Sequence, residues 1–253
     1  MKNVKNTDRQ FVGTIYSAGA PQVAEMISLA GFDWVMIDME HSVLSLGETQ
    51  NALQVLGDGI IKIVRVPGND GIWIKRVLDT GCDGIIIPMV NSAAEAERIV
   101  KAAKYPLAGN RSVGVARAHN YGATFAEYVS DANSDLVIMP QIEHIEGVRN
   151  IDSILAVEGI DAIFIGPYDL SASMGLTGQV SHPEVVSAID LIKDKCRKAG
   201  MHYAIFGASP EALEREIKEG CRWPVCGVDL MILSEAYSLM KKKIKGMMPW
   251  HIA

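Results

Sequence analysis

The stretch LVIMPQIE, residues 136–143, is an apolar run that ends in the carboxylate of Glu143. A second run of the same kind, AIFIGPYD at 162–169, ends in Asp169. Uniformly apolar, β-branched runs of this length are typical of parallel strands that are buried on both faces. If the two strands are neighbours, both carboxylates leave the same end of the sheet and lie close together.

Two like charges held that close need a cation or a proton between them. Carboxylate and carbonyl oxygens suit a hard divalent metal such as Mg²⁺ or Mn²⁺. The pattern therefore predicts a metal held by Glu143 and Asp169. The alternative is two unrelated carboxylates that cap the following helices, and these two residues do not decide between the two.

The same alternation extends along the whole chain. Further apolar runs of strand length lie at 12–16, 34–38, 61–66, 84–88, 203–206 and 225–228. Amphipathic stretches of helix length separate them, at 21–30, 46–56, 70–80, 92–104, 124–132, 146–155, 183–199, 210–219 and 230–245. Eight strand–helix units without a break in composition predict one closed (β/α)₈ TIM barrel, a single domain over residues 1–253. The alternative is a doubly wound open sheet, but no GxGxxG follows the first strand.

Composition and charge exclude several classes of protein. The net charge of −6 and 21% charged residues do not indicate a nucleic-acid surface. The basic run KKKIK at 241–245 is expected to be the solvated last turn of a helix that ends before Gly246. No run is long enough to span a membrane, and residues 1–6 lack the apolar stretch of a signal peptide. The four cysteines lack CxxC spacing, which favours buried thiols and a cytoplasmic protein.

Polar residues follow the second and third predicted strands, where a barrel carries its chemistry. Asp38 and His41 are three residues apart just past a strand, and a carboxylate that orients an imidazole makes a general base. The alternative is that His41 packs against the next helix. Arg65 ends an apolar strand, where a guanidinium is costly unless it is paired. Its partner is a bound carboxylate or enolate oxygen, or an internal carboxylate such as Glu40.

Two further features bear on the reaction class. Gly166 and Pro167 precede Asp169, and glycine lets the backbone approach a ligand closely. Lys62, the strand lysine, is one residue out of phase with Arg65, which argues against an imine-forming aldolase. The long connection that begins YPLAGNRSVG (105–114) is expected to be a functional loop at the catalytic face, with His119 as a candidate to meet substrate.

The chain resembles the metal-dependent (class II) pyruvate aldolases of the 4-hydroxy-2-oxoheptanedioate and 2-keto-3-deoxy-sugar-acid type, grouped with the citrate lyase beta-like family. The resemblance covers nearly the whole chain in order. It rests on GFDWVMIDMEH (31–41), the arginine of IVRVP (Arg65), IIIPMV (85–90), YPLAGNRSVG (105–114), PQIEHIEGV (140–148) and IFIGPYDLSASMG (163–175).

The resemblance implies that Glu143 and Asp169 hold Mg²⁺, Mn²⁺ or Co²⁺, which pyruvate chelates through its carboxylate and keto oxygens. Arg65 then stabilises the enolate oxygen, and His41, oriented by Asp38, handles the proton of the aldol hydroxyl. The residues expected to bind substrate are Arg65, Gln141, Gly166, Pro167 and Tyr168.

The resemblance also implies a homo-oligomer, a trimer or hexamer, with a C-terminal helix exchanged between subunits. Active sites would be completed by a neighbouring subunit, and Asp79 and Asp83 are both candidates for that role. Two positions depart from the family pattern: Tyr168 stands where a small residue is common, and Ser112 where glycine is frequent. Both bear on the substrate more than on the metal.

The expected function is reversible aldol cleavage of a 4-hydroxy-2-oxo acid to pyruvate, or a related 2-oxo acid, and an aldehyde. The expected partners are these small molecules. An alternative is another 2-oxo-acid activity on the same metal site, a decarboxylase or an acyl-CoA lyase, although no basic cluster is present for the thioester's phosphates. A second alternative is a non-catalytic keto-acid binder, against which the pairing of Asp38 with His41 argues.

Overall fold

The strands form a closed parallel barrel. The computed structural model describes residue 5 and residues 9–248. In it the strands follow one another around the barrel in sequence order, and the last pairs with the first. The predicted (β/α)₈ barrel is therefore confirmed and the open sheet is wrong. The strands are β1 (Gly13–Tyr16), β2 (Trp34–Asp38), β3 (Ile61–Arg65), β4 (Gly84–Ile87), β5 (Val137–Ile142), β6 (Ala162–Ile165), β7 (His202–Gly207) and β8 (Trp223–Val228).

Alternate residues of each strand contribute to two separate apolar cores. In β2, Met36 packs inside the barrel and Ile37 packs outward against the helices. In β3, Ile63 lies inside and Val64 outside. Because both faces of a barrel strand are covered, the strands are apolar without alternation, and this uniformity is what the sequence displays.

The helices surround the barrel. They are α1 (Pro21–Leu29), α2 (Leu46–Val55), α3 (Gly71–Asp79), α4 (Ala93–Ala103), α5 (Phe125–Asp135), α6 (Ile145–Arg149), α7 (Ile151–Leu155), α8 (Pro167–Ser173), α9 (Pro183–Lys198), α10 (Pro210–Lys218) and α11 (Asp229–Met247). Several begin at a side-chain cap. Ser45 forms a capping box with Glu48, and Ser209 accepts from the backbone N–H of Ala212.

Three helical predictions differ from the structure. The helix predicted over 146–155 is two short helices, α6 and α7, that meet at Asn150. The helix α8 was not predicted, since it follows β6 at once and begins with Pro167 as its first residue. The basic run is exposed, as expected, but the helix does not end before Gly246, because α11 continues to Met247.

The long connection between α4 and β5 lies at the amino end of the barrel, opposite the expected catalytic face. Arg111 donates to Asp79 at the end of α3 (2.9 Å), and Arg117 donates to the carbonyl of Thr80 (2.7 Å). His119 is buried, and its ring nitrogens bond the loop backbone at Gly114, Ala116 and Gly122. Within one protomer this loop and His119 therefore do not meet substrate. A connection from a helix to the next strand has to lie at this end.

The expected burial of the thiols holds for three of the four cysteines. Cys82, Cys196 and Cys221 are buried free thiols, and Cys226 is half-buried. Among the described residues, no helix is both long and apolar enough to cross a bilayer. Most of the segment 1–6, where a signal peptide was not expected, lies outside the described residues, as do residues 249–253. The cytoplasmic location stays a prediction.

We predict that Lys193→Met lowers the free energy of unfolding by about 3 kcal/mol, because it leaves two carboxylates without the buried cation that they bind. Lys193 is 1% exposed, and its Nζ lies 2.8 Å from Glu216 and 2.5 Å from Glu219, which joins α9 to α10. The matched control is Lys195→Met, whose ion pair with Asp152 is solvent-exposed and contributes less than about 1 kcal/mol. Urea unfolding followed by circular dichroism measures both, and equal losses would contradict the prediction.

Candidate active site

A cavity of about 250 Å³ opens at the carboxyl ends of the strands. It gathers all but one of the residues predicted to form the site, which come from β2, β3, β5 and the β6–α8 junction. Glu143 does not line it, but lies buried directly behind Gln141. The cavity is lined by Ile15, Ser17, Met36, Asp38, His41, Arg65, Gln141, Phe164, Gly166, Pro167, Tyr168, Asp169, Phe206 and Val228.

Arg65 and Asp38 form a two-pronged ion pair at the cavity wall. The register of β2 against β3 places them side by side, and Arg65 donates from Nε to Oδ1 (2.9 Å) and from Nη2 to Oδ2 (2.7 Å). Burial favours the neutral carboxyl, but these bonds and the backbone N–H groups of Glu40 and His41 outweigh it and lower the pKa of Asp38. The pair fixes the guanidinium while leaving Nη1, 3.5 Å from the Gln141 side-chain oxygen, facing the cavity.

The carboxylate nearest the His41 imidazole is Glu40 and not Asp38. The His41 Nε2 atom lies 3.6 Å from Glu40 Oε2 and 4.0 Å from Asp169 Oδ2. Asp38 bonds the His41 backbone N–H, and no hydrogen bond joins its carboxylate to the imidazole within the part of the chain that the structure describes. The geometry therefore differs from the expected Asp38–His41 arrangement. Spacing in sequence brought the two residues near one another, but Arg65 occupies both oxygens of the carboxylate.

Glu40 is a functional candidate that the sequence indicated only as a possible partner of Arg65. Its Oε2 atom is buried without a hydrogen bond, 3.3 Å from Arg65 Nε, which already donates to Asp38. Burial, together with the charges of Glu143, Asp38 and Asp169, raises the pKa of Glu40 to about 7 despite the attraction of Arg65. The signal in the sequence was an acid placed between two other polar residues at a strand exit.

Glu143 is held by its neighbours in a fixed orientation. Its Oε1 accepts the backbone N–H of Met89 at 2.7 Å, and its Oε2 accepts from the side-chain amide of Gln141. Met89 adopts a positive φ of 54°, which turns its N–H toward the carboxylate at the end of β4. Burial and the charge of Asp169 raise the pKa of Glu143, so an unneutralised carboxylate is disfavoured there.

The charges at the mouth fit a divalent cation. Four carboxylates, Asp38, Glu40, Glu143 and Asp169, interact electrostatically around the single guanidinium of Arg65. Across the described residues, no group of three or more His, Cys, Asp or Glu side chains is arranged to hold a metal. A pair of carboxylates is nevertheless what Mg²⁺ commonly takes from a protein, with water and substrate oxygens completing its shell. The donor set fits an oxygen-seeking ion that substrate helps to bind.

Gly166 is required by the close approach of β6 to Glu143. A Cβ atom at this position would lie 2.8 Å from Glu143 Cβ and 3.0 Å from its Oε2, which is closer than real side chains pack. The predicted role of the glycine was to let a ligand approach. The contact found here is with the carboxylate side chain.

Lysine chemistry is absent from the lining of the cavity. Lys62 points away from the barrel interior, as predicted, and its Nζ donates to the carbonyl of Gly57 at 2.7 Å. No lysine is among the described residues that line the cavity. Imine formation with a keto acid therefore lacks its nucleophile here.

A model of the family described as HpcH/HpaI aldolase/citrate lyase matches residues 14–236 of the sequence. This chain belongs to the HpcH/HpaI aldolase/citrate lyase family. The family resemblance inferred from the motifs is thus confirmed, and with it a carbon–carbon lyase.

Individual members of the family match over nearly the whole chain. A hydroxypyruvate/pyruvate aldolase of Pseudomonas aeruginosa is 38% identical over 244 residues, 94% of this chain and 90% of the relative. A 4-hydroxy-2-oxo-heptane-1,7-dioate aldolase of Shigella sonnei (strain Ss046) is 37% identical over 233 residues, 87% of this chain and 88% of the relative. The crystal structure of an HpcH/HpaI aldolase/citrate lyase family protein from Burkholderia cenocepacia J2315 has a TM-score of 0.92 and 28% identity, covering 95% of this chain and 96% of that one.

We predict that Gly166→Ala lowers the affinity for Mn²⁺ by about tenfold or more, because the new methyl group displaces Glu143 from its hydrogen bonds. The control is Gly47→Ala, where a Cβ atom meets only Ser45 Oγ at 3.8 Å. Calorimetric titration of Mn²⁺ into both purified variants measures the effect. Equal affinities in the two variants would show that Glu143 tolerates the displacement.

Proposed function

We propose that this family member catalyses the reversible aldol cleavage of a 4-hydroxy-2-oxo acid to pyruvate, or a related 2-oxo acid, and an aldehyde. The observation that carries the proposal is that the Arg65–Asp38 pair and Asp169 meet at one cavity, with the buried carboxylate of Glu143 near enough for the charge of Asp169 to raise its pKa. The names of the two curated relatives, both aldolases at 37% and 38% identity, support the same reaction class.

Glu143 and Asp169 would hold a divalent metal, Mg²⁺, Mn²⁺ or Co²⁺. When bound, such an ion supplies Lewis-acid polarisation of the 2-oxo acid. Gln141 contributes to the same function through its amide, which donates to Glu143 and holds that side chain in place. Gly166 and Pro167 line the cavity beside these groups, where the carboxylate of the 2-oxo acid would pack.

Arg65 would stabilise the oxygen on which negative charge develops. In the cleavage direction the bond between C3 and C4 breaks, and its electron pair moves into the enolate of the 2-oxo acid. A guanidinium that is already oriented by Asp38 needs no reorganisation when that charge appears, which is the condition for electrostatic catalysis. Asp38 accepts two of the five N–H bonds of Arg65 and Gln141 accepts a third at 3.5 Å, so one N–H on each of Nη1 and Nη2 remains for the substrate.

His41 would take the proton from the C4 hydroxyl during cleavage and return it to the aldehyde oxygen during condensation. The ring is 56% exposed at the rim of the cavity, so it can reach substrate and also exchange protons with water. The positioning carboxylate is Glu40, at 3.6 Å, in place of the Asp38 expected from spacing. Asp38 instead fixes Arg65.

Metal removal and pyruvate alone test the function without knowledge of the aldehyde. We expect the protein with Mn²⁺ to exchange the methyl protons of pyruvate for deuterium, followed by NMR, and a chelator to abolish the exchange. Glu143→Gln and Asp169→Asn should lower the exchange rate about 100-fold or more, since each keeps the shape of a proposed metal ligand but removes its negative charge. Asp152→Asn, at an exposed carboxylate on α7, is the control. Exchange that persists in excess chelator would contradict the proposal, and binding without exchange would favour the keto-acid binder.

We also propose that α11 packs on a second copy of the chain in a trimer or hexamer. Of its residues only Asp229 is buried, although helices in proteins gain most of their stability by packing an apolar face. Exposed apolar side chains recur along it, at Leu230, Met231, Ile232, Tyr237, Leu239, Met240, Ile244 and Met247. Exchange of this helix between subunits accounts for an apolar surface that its own barrel leaves uncovered.

The neighbouring-subunit role expected of Asp79 or Asp83 rests on the same assembly. Both lie at the amino end of the barrel, where Asp79 accepts from Arg111 (2.9 Å) and Asp83 accepts the Lys62 backbone N–H (2.8 Å). Neither reaches the cavity of its own protomer. Either residue would contribute only to the site of another copy.

Light scattering coupled to gel filtration tests the assembly. We expect a trimer or hexamer for the full chain, and dissociation for the double variant Met240→Glu and Ile244→Glu, which places two charges one helical turn apart on the exposed apolar surface of α11. Leu191→Glu, at a 44% exposed position of α9, should leave the mass unchanged. A monomeric full chain would contradict the proposal.

A further inference from the structure

The mouth of the barrel is divided into a polar side and an apolar side. The ends of β2, β3 and β5 carry Asp38, Arg65 and Gln141, whereas β7, β8 and β1 present Phe206, Val228 and Ile15 to the same cavity. The metal and the 2-oxo acid are assigned above to the polar side. The apolar side is therefore left for the aldehyde, and its chemistry selects the aldehyde.

Two aromatic rings form the wall of the apolar side. Tyr168, the departure from the family pattern, is 44% exposed and lies against Phe206 with ring centroids 6.0 Å apart at an angle of 52°. This separation leaves both rings in contact distance of one another while each keeps a surface toward the cavity, which both residues line. Aromatic pairs at such distances accept a further ring edge-to-face or offset.

Two polar side chains at this side, Ser17 and Asp229, already form hydrogen bonds with each other and with backbone N–H groups. Ser17 Oγ donates to Asp229 Oδ1 at 2.7 Å, and Asp229 Oδ2 accepts the backbone N–H groups of Ser17 and Ala18, both at 2.9 Å. The backbone N–H of Leu230 donates to Asp229 Oδ1 as well. Apart from the uncharged hydroxyl of Tyr168, a hydroxyl or carboxylate on the aldehyde would meet no side-chain donor among these groups.

Positive charge is confined to the other side. Among the described residues that line the cavity, Arg65 is the one guanidinium and there is no lysine. Two N–H bonds of Arg65 are donated to Asp38 and one to Gln141, and the remaining two are assigned above to the 2-oxo acid. Aldol cleavage of a 1,7-dioate leaves an aldehyde that carries a carboxylate, and the described lining of one protomer offers that carboxylate no lysine and no arginine besides Arg65. Burying it unpaired would cost far more than burying a ring.

We propose that the aldehyde used by this protein is apolar and aromatic, that its ring packs on Tyr168 and Phe206, and that it carries no carboxylate. This inference rests on the proposed aldol function. It assigns Tyr168 as the residue that sets aldehyde selectivity, at a position one residue from a metal ligand but turned toward the opposite wall.

The test is the ratio of kcat/KM for benzaldehyde to kcat/KM for succinic semialdehyde, each condensed with pyruvate at saturating Mn²⁺. We expect the unmodified protein to favour benzaldehyde by about tenfold or more, since a site built for one group rejects a charged one that it cannot pair. Tyr168→Ala should lower this ratio about tenfold, whereas Tyr168→Phe, which keeps the ring, should retain it. Phe206→Ala removes the second ring without altering a neighbour of Asp169, and should lower the ratio in the same direction.

The outcomes separate the inference from the function on which it rests. If the unmodified protein exchanges the methyl protons of pyruvate but prefers the semialdehyde, the inference fails and the aldol function stands. If Tyr168→Ala slows both aldehydes equally, the tyrosine has a structural role and the assignment fails. If neither exchange nor any aldol product is found, both proposals are overturned together.

Discussion

The site depends on one buried ion pair. A guanidinium inside an apolar barrel is tolerated only if it is paired with good geometry, and Asp38 provides both of its oxygens to Arg65. The register that pairs β2 with β3 brings the two residues opposite each other, so the fold itself and not a flexible loop sets their geometry. Once paired, Arg65 is rigid, and a rigid cation is what a developing oxyanion needs.

The ion pair also determines the charge balance around it. Burial raises the pKa of Glu40, whose Oε2 has no hydrogen bond, and it outweighs the two hydrogen bonds that Glu143 accepts, so the pKa of Glu143 is raised as well. A barrel mouth with this surplus of carboxylates stores unfavourable electrostatic energy. A divalent ion relieves it, and a keto acid that brings further oxygens to that ion binds more tightly for the same reason. The repulsion among carboxylates is thus part of what makes the site bind.

Much of the fold could be read from the sequence, since strands covered on both faces are uniformly apolar and amphipathic stretches separate them. The bounds of β2 were predicted without error. Arg65 and the acids after β5 and β6 were found because polar residues at strand exits stand out in such a pattern. The partner of Asp38 was not found, because three-residue spacing describes the chain locally whereas the pairing with Arg65 is set by strand register.

Other features were beyond a reading of local pattern. The long connection was expected at the catalytic face because it is polar and contains glycine, yet it joins a helix to a strand, and that order of elements fixes it at the amino end. His119 was a substrate candidate until its ring nitrogens were seen to bond the loop that carries it. The exposure of α11 is also invisible in sequence, where its apolar residues look like those of any helix that packs on its own barrel.

The division of the mouth explains how one barrel can keep a reaction and change its substrate. Arg65 and Asp38 belong to strands on one arc, where Glu143 directly follows β5, while Phe206 and Val228 belong to β7 and β8 on another. Both arcs pack on the shared interior core. Tyr168 bridges the arcs, since it follows β6 beside Asp169 and packs on Phe206. Its ring lies against the proposed aldehyde wall while its backbone adjoins the proposed metal ligand Asp169, so a substitution there is the one most able to alter both sides.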